Sequence, residues 1–533
     1  MSNVRSGDKA AYFLEKAAQY EPVLYEKSIR TVTFGEPVRD DSKWFQYRFV
    51  EKEAPKSVKY GDSFYVDFGN HYVGYLSFEM RMINQFPDAP VKLHLKFAEN
   101  LYELMSDYEN YEGTLPGAWL QQETIYLDEP MVVKLPRRYA FRYLKVTIDA
   151  SSYFRSPVEI CNFELKATTS ADFASFKGLK ELWKTNEISA QLQAIDTVSC
   201  HTLENCMQRV FEDGPKRDRR LWLGDLRIQA LTAFYTFPSE NTLAVIKKCL
   251  YLFAGFTADK ARTPQCVFQL TEGNYSDGNP LIDYSLLFPV CVCDYYEHTG
   301  DTEVVDDLFD VADLQIRIGR DDSKDGILNT KEGWWTFIDW CPGLKKNTSL
   351  QGVFLYALRK MIDLCQKTGR TEKAEEYLEY ERIFGTAAKE KLYDKESGYF
   401  INAYDDKQLS IHSQVWMILG GVVEGEEGKK LLRRIMKETD IKIAVSPYMH
   451  HYVVEAMLLS GMKEEAMEYI KAYWGGMVER GADTFWEVYV PDDFYASPCQ
   501  NPVMNSCCHA WSCSATYFIR RYYECENIVS ARD

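Results

Sequence analysis

The chain has 533 residues, which at roughly 150 residues per domain allows three or four units, or fewer if one is a large barrel. Charged side chains make up 26% and hydrophobic ones 46%, so a disordered chain is excluded. With 62 Lys and Arg against 79 Asp and Glu the net charge is −17, a poor match to nucleic acid or an anionic membrane face, both of which select a positive patch.

The first residues, Met-Ser-Asn-Val-Arg-Ser-Gly-Asp-Lys, run into no apolar core of a secretory signal. No window offers roughly 18 uncharged apolar residues, so no membrane span is expected. The expectation is a cytoplasmic protein whose 14 cysteines, among them Cys249, Cys365 and Cys525, are reduced thiols packed as small hydrophobes. Cys291/Cys293 and Cys507/Cys508 lack the two-residue gap of a zinc knuckle, and no Asp/Asn-rich loop spells an ion site. No metal and no cofactor are therefore expected.

Residues 1–165 read as β. The segments 63–68, 74–82, 91–97, 142–148 and 158–163 alternate apolar and polar residues between Pro, Gly, Asn and Asp breaks. This spacing predicts an antiparallel β-sandwich, an accessory domain able to lend a loop to its neighbour. Its exposed edge is a candidate for pairing two copies in a homodimer.

From 166 to 533 the period becomes 3.6. Helix, glycine stop and new amphipathic helix recur around Gly300, Gly369 and Gly461. These are helical hairpins, too unevenly spaced for a solenoid. Long aromatic loops at 325–347 and 481–507 lie between them, and long loops in a compact domain are usually functional. The prediction is a mainly α protein: a β-sandwich followed by an α/α toroid whose loops gather at one mouth.

Four strings carry chemistry. The segment 213–225, Asp-Gly-Pro-Lys-Arg-Asp-Arg-Arg-Leu-Trp-Leu-Gly-Asp, packs three carboxylates, four cations and a Trp ahead of a helix. Read plainly, it is a charged turn with Asp225 as an N-cap. Read functionally, crowded carboxylates raise one another's pKa, as a general acid requires, while the arginines oppose that shift. In 481–489, Glu487 sits between Trp486 and Tyr489, either as an edge glutamate or as the second carboxylate of a glycosidase. In 333–342, Asp339 and Trp340 suit a sugar, although Trp334 and Trp335 would equally serve as core. His509 precedes the last helix, and His450 and His451 read as structural. The 36 Tyr, 29 Phe and 11 Trp fill a large core or line a groove for a ligand with apolar faces, such as a sugar. No phosphate loop, dinucleotide fingerprint, His-Glu-x-x-His or nucleophile elbow is present.

From about residue 60 to 520 these strings resemble the α-L-rhamnosidases of glycoside hydrolase family 78. The segment 213–225 resembles the family's Asp-Cys-Pro-x-Arg-x-Glu-Arg-x-Gly-Trp-x-Gly-Asp, with Gly214 in place of Cys and one residue fewer. Counting from Asp213 puts Arg219 in the slot of the general-acid Glu. Counting back from Asp225 puts Asp218 there, and only Asp218 can donate a proton at neutral pH. Glu487, in Gly-Ala-Asp-Thr-Phe-Trp-Glu, resembles the family's general base. Asp213, Arg217, Trp222 and Asp225 match residues that hold the sugar. Ile338-Asp-Trp340 resembles a Gly-Asp-Trp motif, and His509 falls near a sugar-binding His. Trp486 joins the expected sugar contacts. The resemblance implies a β-sandwich ahead of an (α/α)6 barrel, in a minimal form without further β domains. It also implies hydrolysis of terminal α-L-rhamnose with inversion, on a small or oligosaccharide rhamnoside. Two alternatives share the fold: an enzyme acting on unsaturated or uronic-acid oligosaccharides, to which the arginines are suited, and a rhamnoside-binding protein without turnover.

Overall fold

The computed structural model describes residues 7–83, 89–150, 157–185, 188–257, 261–270, 273–328 and 335–523. Trp334 and Cys525 lie outside the described residues.

Helix α1 (Gly7–Gln19) opens the chain. Then follow β1 (Tyr25–Ile29), β2 (Thr33–Arg39), β3 (Tyr47–Glu51), β4 (Ser63–Met82), β5 (Val91–Ala98), the short helix α2 (Leu101–Met105), β6 (Gln122–Leu127), β7 (Met131–Lys134), β8 (Tyr139–Ala150) and β9 (Val158–Thr169). Every pairing among these strands is antiparallel. The main path runs β1-β9-β4-β8-β5-β6, with the β2–β3 hairpin on the first part of β4 and β7 on its second. The alternate residues Val66, Phe68, Leu76, Phe78 and Met80 of β4 join Leu93, Leu95, Leu144, Val146, Ile160 and Leu165 in one buried core. This is the period-2 burial that the sequence pattern demands.

The segments 63–68 and 74–82 are not two strands. They form one strand of 20 residues whose pairing with β8 slips between Asp67 and Tyr72. The slip breaks the alternation, which is why the sequence reads as a turn there. Gly69 takes a φ of +84°, which glycine adopts without the penalty of a Cβ. The irregularity turns His71 into the helical part. Its N–H donates to the Asp483 carboxylate at 3.0 Å, and its carbonyl accepts from the His201 ring at 2.8 Å.

The second part comprises α3 (Leu179–Leu182), α4 (Ala190–Cys206), β10 (Arg220–Trp222), α5 (Leu223–Thr236), α6 (Glu240–Phe256), β11 (Cys266–Leu270), β12 (Gly273–Tyr275), α7 (Ile282–Thr299), α8 (Thr302–Asp321), α9 (Asn347–Lys367), α10 (Thr371–Lys391), α11 (Ile411–Leu419), α12 (Gly425–Ile435), α13 (Pro447–Leu459), α14 (Lys463–Glu479) and α15 (Ser514–Tyr522). The three glycine-stopped hairpins read from the sequence are α7/α8, α9/α10 and α13/α14. Gly300, Gly369 and Gly461 take φ values of 67°, 73° and 72°, the left-handed helix stop. Two further hairpins are α5/α6, which has no glycine stop, and α11/α12, where Gly421 takes a φ of 72° in the same left-handed stop.

Packing closes these helices into a ring. Helix α5 packs on α7, α7 on α9, α9 on α11 and α11 on α13; α13 meets the 3-10 turn Ala510–Ser512, and α15 returns to α5. Helix α5 is buried on nearly every face, as an inner-ring helix must be. Helix α1 belongs to this part by packing, not to the β part. It lies on α6, and its Phe13 and Ala17 sit in the helical core.

Arg227 of α5 ties the inner helices together. Its guanidinium donates to Asp294 of α7 at 3.0 Å, to the Tyr356 hydroxyl of α9 at 2.6 Å and to both Glu455 oxygens of α13 at 3.1 Å. All of its charge is met inside the ring.

Candidate active site

The loops ahead of the inner helices meet at one mouth. Asp283, in the first turn of α7, accepts the backbone N–H groups of Phe337 at 2.9 Å and Ile338 at 2.8 Å. This fixes the loop that presents Trp340. Residues 213–222 and 485–511 come from either side. The Asp213 carbonyl accepts from Ala510 N–H at 2.7 Å, and the His509 N–H donates to Phe485 at 2.9 Å.

The first string folds into a tight turn. Asp213 Oδ1 accepts the Arg220 N–H at 3.0 Å, and the Gly214 carbonyl accepts the Arg219 N–H at 3.1 Å. The missing Cβ at Gly214 is required: one there would lie 2.4 Å from the Arg217 carbonyl oxygen. Glycine thus suits a loop one residue shorter than the family pattern. Asp225 is not an N-cap. It lies inside the first turn of α5, where a carboxylate faces the positive end of the helix dipole.

Two carboxylates flank one guanidinium. Arg217 Nη2 contacts Glu487 Oε2, and Arg217 Nη1 lies 3.8 Å from Asp218 Oδ1. Glu487 is held by its surroundings: Oε2 also accepts the Ser506 N–H at 3.1 Å, and its own N–H donates to the Ser506 carbonyl at 2.9 Å. Burial alone would raise the Glu487 carboxyl, but the Arg217 charge outweighs it and holds the group below the usual glutamate range. Asp213 and Asp225 behave in the opposite way. Burial raises both well above the usual range; the charges of Asp218 and Asp225 add to this at Asp213, and those of Glu487 and Asp218 at Asp225. His509 is pushed down to about 3 by burial, so it is a neutral ring at working pH. Its Nδ1 lies 3.6 Å from Asp225 Oδ1 and its Nε2 4.0 Å from Asp213 Oδ2.

The three arginines point to different places. Arg217 is committed to the carboxylates. Arg219 turns to the β part, donating to the Pro215 carbonyl at 2.7 Å and to Gln121 Oε1 at 3.1 Å. Arg220 lies over the Phe268 ring at 4.1 Å, with Nη1 3.9 Å from Asp218 Oδ2.

Around these charges sit buried polar atoms with no protein partner: Arg217 Nε, Trp222 Nε1, Asp225 Oδ1, Trp340 Nε1 and His509 Nδ1. Buried polar atoms are normally paired, so a cluster without hydrogen-bond partners makes this a candidate polar site. The rings that carry or adjoin them are in mutual contact. Trp222 packs on Tyr284, Tyr284 on Phe337, Phe337 on Trp340 and Trp511, and Trp511 on His509. Tyr284, Phe337 and Trp511, with Tyr448 packed on Phe337, were not singled out in the sequence. Trp511 stood in the His509 string, whereas Tyr284 and Tyr448 occupy inner-helix positions that read as ordinary core.

Two expected sugar contacts are engaged elsewhere. Asp339 accepts five hydrogen bonds, from His412, the Trp340, Val445 and Ser446 N–H groups and the Ser446 hydroxyl, at 2.5 to 3.0 Å. Its lone pairs are spent inside the protein, and it anchors Trp340 to the start of α13. Trp486 is stacked on Trp44 at 5.9 Å and covered by Phe45, so its faces are closed by the β part. His450 and His451 are structural, as expected. His450 bonds the Tyr469 hydroxyl at 2.6 Å, and His451 lies 3.3 Å from Arg227. Among the described residues no group of three or more His, Cys, Asp and Glu side chains could hold a metal ion, and no helix is long and apolar enough to cross a membrane.

Comparison with known proteins identifies both parts of the chain. Residues 35–167 match the glycosyl hydrolase family 78 alpha-rhamnosidase N-terminal domain, and residues 186–523 match the bacterial alpha-L-rhamnosidase 6 hairpin glycosidase domain. Among solved structures, a rhamnosidase from Klebsiella oxytoca with rhamnose bound is 36% identical with a TM-score of 0.91, over 96% of this chain and 98% of that one. The GH78 family rhamnosidase of Bacillus sp. GL1 shares the fold at 23% identity and a TM-score of 0.73, over 89% of this chain and 49% of that one. An α-L-rhamnosidase from Streptomyces avermitilis complexed with L-rhamnose does so at 17% and 0.62, over 94% and 44%. This chain thus spans about half the length of the latter two. No curated protein sequence matches it. The two matched domains together span most of the chain, and the chain belongs to glycoside hydrolase family 78, the α-L-rhamnosidases.

Proposed function

We propose that the protein releases terminal α-L-rhamnose from rhamnosides by a single displacement with inversion. Asp218 is the general acid and protonates the leaving oxygen. Glu487 is the general base and takes a proton from a water on the opposite face of the ring. The observation that carries this reading is the placement of one guanidinium, Arg217, between the two carboxylates. Both carboxylates thus face one place without touching each other, and the inverting reading requires their carboxyls to be roughly 6.5–9.5 Å apart, with a water admitted beside Glu487. The depressed pKa of Glu487 suits a base, which must be ionised to act.

Asp213, Asp225, Arg217 and neutral His509 hold the sugar hydroxyls, and the indole N–H groups of Trp222 and Trp340 add two donors. The aromatic rings at the mouth cover the apolar face and the C6 methyl. The thirteen described cysteines are free thiols, which fits work in a reducing compartment such as the cytoplasm.

The test uses p-nitrophenyl α-L-rhamnopyranoside and a rhamnosyl disaccharide. The wild type should release β-L-rhamnose first in the proton NMR spectrum, before mutarotation. Glu487→Gln should lose on the order of 10²- to 10⁴-fold. Asp218→Asn should lose as much on the disaccharide and less on the activated substrate, whose leaving group needs little protonation. Arg219→Ala should keep activity. Release of the α anomer first would refute inversion, and an active Glu487→Gln would refute the base.

A further inference from the structure

A second charge cluster lies beside the catalytic one, at the seam between the β part and the ring. It is formed by Glu99, Glu103, Lys216 and His71, whose side chains have no solvent exposure. Glu99 sits between the end of β5 and α2. Lys216 immediately precedes Arg217 and Asp218. The Lys216 ammonium has three donors and finds three acceptors: Glu99 Oε2 at 3.0 Å, Glu103 Oε1 at 3.2 Å and the Asn505 carbonyl at 2.9 Å. Glu99 Oε2 also accepts the Cys507 N–H at 2.6 Å, and its Oε1 lies 3.1 Å from His71 Nε2. His71 is the residue that the β4 irregularity drives into this seam.

The partners of this cluster are the two catalytic loops. Asn505 and Cys507 flank Ser506, whose N–H and carbonyl both bond Glu487. Lys216 adjoins the acid. One carboxylate of the β part therefore grips the base loop through a backbone N–H and the acid loop through an ammonium. Burial alone would raise the Glu99 carboxyl; Lys216 and then His71 outweigh it and keep the group ionised.

A buried ion set of this kind is a costly way to fill a seam. Apolar residues of the same volume are often as stable or more so, whereas removing one partner leaves an unpaired charge. What the ions supply is direction, because each contact fixes one loop atom. We propose that Glu99 is a positioning residue of the hydrolysis, setting the separation of Asp218 and Glu487 from the β part. This rests on the reading of those two residues as acid and base. It makes the β part a component of the active site and not only a cover. A misplacement of about 1 Å at a reacting group can cost on the order of 10²-fold.

The test compares wild type, Glu99→Gln, Lys216→Met and the double variant Glu99→Gln/Lys216→Met, all as the full chain with folding checked by circular dichroism and Tm. The expected result for Glu99→Gln is a fall in kcat of about 10²-fold with KM little changed. The fall should be steeper on a rhamnosyl disaccharide than on the p-nitrophenyl substrate, because the poorer leaving group depends more on the acid's position. Lys216→Met should match it, and the pair should be no worse than either alone, since both act through one node. A Glu99→Gln protein folded like the wild type with kcat within twofold of it, or an equal loss on both substrates, would overturn the proposal. If a single variant fails to fold, the double variant, which removes the Glu99–Lys216 pair together, carries the same test, and wild-type kcat in that folded protein overturns it too. A wild type inactive on both rhamnosides, or an active Glu487→Gln, is a separate result and refutes the underlying reading instead.

Discussion

Arg217 reaches both members of the carboxylate pair, contacting Glu487 Oε2 with Nη2 and lying 3.8 Å from Asp218 Oδ1 with Nη1. The base is thereby held ionised where burial alone would protonate it. Removing the charge reverses the balance: the Glu487 pKa should rise, so ionised base is lost at higher pH than before. Arg217→Met should move the acidic limb of kcat/KM upward by at least about one pH unit. The rate at the optimum should fall by on the order of 10²- to 10³-fold, as when one preorganised donor is deleted. Arg217→Lys keeps a point charge but cannot reach both carboxylates, so its limb should move less while the rate stays low. A pH–rate profile of the three proteins decides this, and an unmoved limb in Arg217→Met would show that the base is set by something else.

The turn at Gly214 supplies a second prediction. A Cβ there meets the Arg217 carbonyl oxygen at 2.4 Å, and backbone cannot swing aside as a side-chain tip can. Gly214→Ala should push Arg217 and Asp218 out of register, so kcat should drop by about tenfold or more while Tm changes by only a few degrees. Kinetics and a melting curve on one preparation test this. Wild-type kcat would mean that the loop accommodates a methyl and that its tightness is not functional.

How much of this was open to sequence reading depends on how local the signal is. Three hairpins with glycine stops were legible because Gly300, Gly369 and Gly461 mark helix ends by their own backbone preference. The α11/α12 hairpin was not, being made of helices of 9 and 11 residues, too short for a clear period. The β4 irregularity defeats period-2 reading by construction, since it hides a continuous strand behind a glycine. At the site, Asp213, Arg217, Asp218 and Trp222 announce themselves within one string. Trp486 and Asp339 misled because burial among aromatics and donors looks the same in sequence whether the group faces ligand or protein. Only the stack on Trp44 and the five donors on Asp339 separate the cases. Glu99 was invisible for a simpler reason: its partners are scattered along the chain, His71 28 residues before it and Lys216 and Cys507 more than a hundred after it.

The two raised carboxylates bear on stability. A carboxyl whose pKa is higher folded than unfolded gives its full support below the unfolded value, near 4, and loses it as pH climbs towards the folded value. Asp213 and Asp225 therefore weaken the fold increasingly as pH rises above about 4 towards their raised values. Asp213→Asn removes the titration while its side-chain oxygen can still accept the Arg220 N–H. The variant should melt higher than the wild type, with the gap wider at about pH 8 than at about pH 5, and it should hydrolyse rhamnosides poorly. Calorimetric scans at the two pH values provide the check. A gap that narrows with pH would mean that Asp213 is ionised at little cost, against the burial argument.

Arg227 answers to the opposite logic. Its guanidinium is enclosed by Asp294, Tyr356 and Glu455, and Asp294 also accepts from Lys360 at 2.7 Å. Arg227→Met fits a similar volume but leaves the half-buried Glu455 without its cation, and the loss should be about 3 kcal/mol, the low end for a buried pair broken on one side. Glu455→Gln should cost less, because an amide tolerates burial better than a lone carboxylate. Adding it to Arg227→Met should recover part of the loss, since the stranded charge then disappears. Denaturant melts of the two singles and the double measure that recovery, and a double variant no more stable than Arg227→Met would show that the arginine's packing, not its charge, holds the inner helices together.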